Sequence, residues 1–137
     1  MIKVNLTGGL GNQLFQIFCL IDYSIKHNLD FRLPSKLSSG CRNKTYWDNI
    51  FKNIKDKIDD KIVLKKKYNE KYYHFVDIPK MDNIILNGYF QSWKYFKDTY
   101  DQIYNLLDMD ELKKKYYVKN ACSMHFRLGD YKQKQKK

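Results

Sequence analysis

Apolar and polar residues alternate over Ile2 to Leu6 (IKVNL), and the β-forming residues there predict a strand. The period then changes. Leu14, Phe15, Phe18, Ile21 and Ile25 recur at helical spacing as far as His27, with Asn12 placed to cap the helix. Ile17, Cys19 and Leu20 make the early turns apolar nearly all round, the pattern of a helix buried on several sides. LDFRLP predicts a second short strand, halted by Pro34. Strand, helix and strand at this spacing form a β-α-β unit, whose long crossover favours parallel pairing.

LSSGCRNKT is loop, and YWDNIFKNI places Trp47, Ile50, Phe51 and Ile54 on one core-facing helical stripe. KIVLKKKYNEKYYHFVDIP predicts one or two short strands around a lysine cluster, with Lys65 to Lys67 on a solvated edge. NIILNGYF predicts a strand over Asn83 to Phe90. Ser92 then caps a helix carrying Trp93, Phe96, Tyr100, Ile103 and Leu107. DELKKKYYV reads as a weaker helix, acidic first and basic later, as the helix dipole favours. ACSMHF reads as a last strand in need of cover, at a sheet edge or against a partner. The tail KQKQKK carries no apolar residue and reads as disordered. No internal repeat occurs. Alternating strand and helix patterns imply an α/β domain of three layers around a mainly parallel sheet. It would span residues 1–120. Residues 121–131 would open a further, incomplete domain with its first strand and motif, and 132–137 would be a disordered basic tail.

At 137 residues the chain has about the length of one domain, and 43% hydrophobic residues with 16% aromatics suit a globular core. The formal net charge of +11 is almost all lysine, with Arg32, Arg42 and Arg127 as the arginines. Base and phosphate readers favour the forked arginine side chain, so no specific nucleic-acid partner is expected. A basic nucleic-acid-binding module stays open as an alternative, and it would bind duplex DNA with a steep salt dependence. Cys19, Cys41 and Cys122 have no paired spacing, and His27, His74 and His125 lie far apart, so neither disulfides nor a metal is expected. MIKVNL has no signal-peptide pattern and LFQIFCLI is too short to span a bilayer, which implies a soluble cytoplasmic chain.

Candidate chemistry concentrates in two places. GGLGNQLFQ sets Gly8, Gly9 and Gly11 between the first strand and the first helix. Glycines admit a close backbone approach, and a helix N-terminus offers free N–H groups and partial positive charge to an anion. The dinucleotide fingerprint would need a third glycine where Leu14 stands, and no lysine-Ser/Thr pair makes a P-loop. A tight turn that only packs helix on sheet would use the same glycines. MHFRLGDY places His125, Arg127 and Asp130 near the end of a strand, where open α/β sheets bind ligands. Arg127 in a lysine-rich chain points to forked recognition of an oxyanion such as a diphosphate, or to a simple pair with Asp130. The two loops are expected to face one cleft.

GGLGNQLFQ, GYFQSWKYF and HFRLGDY, in that order, resemble the α-1,2-fucosyltransferases of glycosyltransferase family 11, and the likeness covers residues 1 to 131. The third resembles the family's H-x-R-R-x-D-Y motif, which binds the GDP-fucose donor. The resemblance implies the N-terminal half of a GT-B enzyme, and an inverting, metal-independent transfer of fucose to the 2-hydroxyl of a galactoside. His125 and Arg127 would then lie at the donor diphosphate, with Asp130 holding the turn and Arg127 the catalytic charge on the GDP leaving group. Gly8, Gly9, Gly11 and Asn12 would face the same donor, and no cofactor is implied beyond GDP-fucose as substrate. Leu128 replaces the family's second arginine. Two Rossmann-like domains need roughly 250 residues, so a chain ending at Lys137 is expected to be weak or inactive alone. It would be a homo-oligomer, would pair with a separately encoded second half, or would be a non-catalytic interaction remnant.

Overall fold

Three residues, Ile2–Val4, form β1, and the ladder continues one residue further, where the Asn5 N–H donates to Leu86 O at 2.9 Å. The computed structural model describes residues 1–38 and 44–124. β2 is Phe31–Arg32, β3 Lys66–Asn69 and β4 Ile84–Asn87. All pairings are parallel, and the strand order is β2-β1-β4-β3. The α/β character and the parallel sheet therefore agree with the sequence pattern. A further parallel bridge joins Leu33 to Ile58.

The helix α1, Leu10–His27, makes the crossover from β1 to β2 and packs on both strands. It lacks a first-turn acid and ends on Lys26 and His27, the basic end that the helix dipole favours. Asn28, at φ 52°, closes it in the left-handed conformation that asparagine tolerates. The register sets Ile2 beside Ile84 and Val4 beside Leu86, so the alternation gathers their fully buried side chains on one sheet face. Ile17, Leu20 and Ile21 of α1 are buried with them in one core, each contributing about 1.5–3 kcal/mol. Trp47, Phe51 and Ile54 join that core as expected. They do so from a turn and a 3₁₀ segment, Lys52–Lys57, rather than an α-helix.

Helices α2, Tyr100–Leu106, and α3, Met109–Tyr116, stack outward, α2 on α1 and α3 on α2. Among the described residues the helices thus build away from the sheet in series. The opposite sheet face is polar. It carries Lys3, whose Nζ donates to Asp59 O at 2.8 Å and Ile62 O at 2.9 Å, and a row of asparagines described below.

Four local expectations change. The helix begins at Leu10 with Gly9 as its N-cap, so Asn12 lies inside the first turn rather than capping it. The strand expected to reach Phe90 stops at Asn87, where Gly88 and a left-handed Phe90 turn the chain. Ser92 caps only a 3₁₀ turn, Trp93–Tyr95, and α2 starts anew after Thr99. Two long-range contacts fix that break: the Phe96 ring meets Phe18 edge-on at 5.1 Å, and Thr99 Oγ1 donates to the buried Asp22 carboxylate at 2.7 Å. Of the expected strand ACSMHF, Ala121 to Met124 are exposed and outside any ladder, since β-propensity without a neighbouring edge makes no strand.

Candidate functional site

Beyond β1 the chain enters a turn held by two buried glutamines of α1. Gln16 Oε1 accepts from the Thr7 N–H at 3.0 Å, and its Nε2 donates to Gly88 O at 2.9 Å. One side chain thus ties the turn after β1 to the turn after β4. Gln13 Nε2 donates to Gly8 O at 3.0 Å and to Lys44 O at 2.8 Å, while its buried Oε1 accepts no bond among the described residues. These glutamines were not singled out as site residues. Their signal is two polar side chains three apart that interrupt the apolar early turns of the helix.

The three glycines of the turn differ in what they do. Gly8 has φ +79°, and a Cβ there would sit 2.1 Å from Asn12 Nδ2. Its glycine is demanded by the chain itself. Gly9 (φ −76°, ψ −176°) and Gly11 have ordinary backbones, and a Cβ on either would meet none of the described residues within 4 Å. No side chain caps α1, and its first amides lack intrahelical partners, as at any helix start. Among the described residues the turn therefore leaves open space beside a partially positive helix start, at the carboxyl end of β1, the position where open parallel sheets take ligands.

The neighbouring turn after β4 is closed by a carboxylate from the end of β3. Glu70 Oε2 accepts from the N–H of Tyr89 at 2.7 Å and of Phe90 at 3.0 Å. Gly88 is required here as well, since a Cβ on it would lie 2.4 Å from Glu70 Cβ. Phe90 is fully buried at φ 52°, a strained backbone for a bulky residue, and Tyr95 packs edge-on against its ring at 5.4 Å. Burial pushes the Tyr95 hydroxyl up to about 12. The turns meet again where Gln91 Nε2 donates to Asn12 Oδ1 at 2.7 Å. Asn5, Asn87 and Asn69 then form a row along the carboxyl ends of β1, β4 and β3. Asn5 Nδ2 donates to Asn87 Oδ1 at 3.0 Å, and Asn87 Nδ2 donates to Asn69 Oδ1 at 2.8 Å.

The structure brings Gly8, Gly9, Gly11 and Asn12 together. His125, Arg127 and Asp130 lie outside the described residues. Among the described residues no group of three or more His, Cys, Asp or Glu could hold a metal, and no helix is long and apolar enough to cross a membrane. Cys19 and Cys122 are free thiols, and burial raises the Cys19 thiol, which makes it inert rather than nucleophilic.

Family models, curated proteins and solved structures offer no match to this chain.

Proposed function

We propose that the chain takes the diphosphate of GDP-fucose at the Gly8–Asn12 turn, within a Rossmann-like half of a GT-B-type fucosyltransferase. The transfer would be inverting and metal-independent, onto the 2-hydroxyl of a galactoside. The observation that carries the reading is the open space over Gly9 and Gly11. Their backbones suit any residue and no described side chain needs the room, so among the described residues that space is free for a ligand. Backbone N–H groups and a helix N-terminus favour an anion there. The motif order supplies its identity, because HFRLGDY resembles the donor motif of family 11. In this reading His125 and Arg127 contact the diphosphate, and Asp130 holds their turn. Arg127 neutralises the charge that develops on GDP as the glycosidic bond breaks, a contribution worth several kcal/mol in such sites.

The experiment is titration calorimetry of residues 1–137 with GDP-fucose, paired with a transfer assay on a lactose-type acceptor. Saturable donor binding that is lost in Arg127→Ala is the expected result. A chain that ignores GDP-fucose, or binds it equally well in Arg127→Ala, overturns the proposal.

A further inference from the structure

A second cleft, of about 300 Å³, opens at the carboxyl ends of β3 and β4, beside the glycine turn. Asn69, Tyr72, Tyr73, Asn87 and Tyr89 line it. The tyrosines are unusual for their exposure: Tyr73 is 94% exposed, Tyr72 55% and Tyr89 40%. The Tyr72 ring is stacked on His74 at 5.1 Å and 15°, which restricts its motion. The asparagine row ends here. Asn69 Oδ1 accepts from Asn87, while its own amide hydrogens meet no partner among the described residues. Charge at the cleft is balanced by one carboxylate, Glu70, already engaged by two backbone amides, and one ammonium, Lys71.

We infer that this cleft binds a neutral saccharide. Amphipathic ring faces cover the C–H faces of a sugar, and side-chain amides donate to and accept from its hydroxyls. Balanced charge gives no preference for an anion, and the volume lies at the small end of ligand pockets, suited to one or two sugar rings. The Gln16 and Gln91 bonds hold the turn after β4 against the glycine turn, so a saccharide in the cleft lies next to the proposed donor site. Naming that saccharide the acceptor rests on the transfer reading. Its binding does not.

The test is saturation-transfer NMR of residues 1–137 with lactose and with maltose, without nucleotide, on the wild type and on Tyr73→Ala, Asn69→Ala and Trp93→Ala. Trp93 is 62% exposed and does not line the cleft, so its variant is the control. Saturable binding of either sugar, weakened at least fivefold in Tyr73→Ala and Asn69→Ala but unchanged in Trp93→Ala, is expected. No saturable binding of either sugar, or equal binding in all four proteins, overturns the inference. GDP-fucose titration of the same proteins separates the two readings. Sugar binding without donor binding keeps the cleft and removes the transferase, and donor binding without sugar binding does the reverse.

Discussion

Gly8→Ala should destabilise the fold by about 1.5–3 kcal/mol, and the sum can be worked from its surroundings. At φ +79° an alanine adopts the left-handed region, which costs about 1–2 kcal/mol for an L-residue. Its Cβ would lie 2.1 Å from Asn12 Nδ2 and 2.9 Å from Asn12 Cγ, so Asn12 must leave its rotamer and release Gln91. That exposed hydrogen bond adds about 0.5–1 kcal/mol, toward the low end for such bonds. Gly11→Ala is the matched control. It sits in the first turn of α1 with open space around it, and better helix propensity should stabilise it by about 0.5 kcal/mol. Urea unfolding measures both as shifts in midpoint at unchanged slope. In an Asn12→Ala background, where that hydrogen bond is already gone, Gly8→Ala should cost only the backbone term of about 1–2 kcal/mol. A Gly8→Ala protein within about 0.5 kcal/mol of the wild type, or a Gly11→Ala protein equally destabilised, would refute the division of labour among these glycines.

Gln16→Leu should cost about 2–4 kcal/mol by thermal or urea unfolding, because it strands the Thr7 N–H and the Gly88 carbonyl together; a loss below about 1 kcal/mol would contradict its bridging role. Asp22 tests the buried polar cluster. Burial raises its carboxyl above the ordinary 3.8, against the opposing pull of the Thr99 hydroxyl and the Lys26 ammonium at 3.1 Å. A carboxyl raised by folding contributes stability that is full below the unfolded value and lost as pH rises through the folded one. The stability of the wild type relative to Asp22→Asn should therefore fall in urea titrations as pH rises from the ordinary carboxyl value of 3.8 through the raised folded one, and a difference that grows with pH would contradict the burial argument.

Much of the fold could be read from local pattern, where the pattern itself was decisive. Ile2–Val4 and α1 carry strong periods of two and about 3.6, and parallel pairing followed from the length between them. The turn glycines were visible too, though not that Gly8 serves the chain while Gly9 and Gly11 leave room. β3 was harder, because Lys66 and Lys67 place charge on an exposed edge strand, which is how edges avoid pairing with other chains. Its connection to β4 runs through residues 70–83 without a helix, so no period marked a crossover. The helix from Ser92 failed because Phe96 and Thr99 answer to α1 rather than to their own neighbours. Glu70 was invisible as a site residue for the same reason, since its meaning lies in amides 19 and 20 positions away.

The measurement that bears most directly on the glycine turn is GDP-fucose affinity of Gly9→Val beside the wild type, with melting temperature recorded for both. A Cβ on Gly9 meets no described residue within 4 Å, so the variant should melt within a few degrees of the wild type. Its Cβ would nonetheless stand where a diphosphate must approach the backbone. The account predicts donor affinity at least tenfold weaker in the variant at near-equal melting temperature. Equal affinity in the two proteins would contradict it.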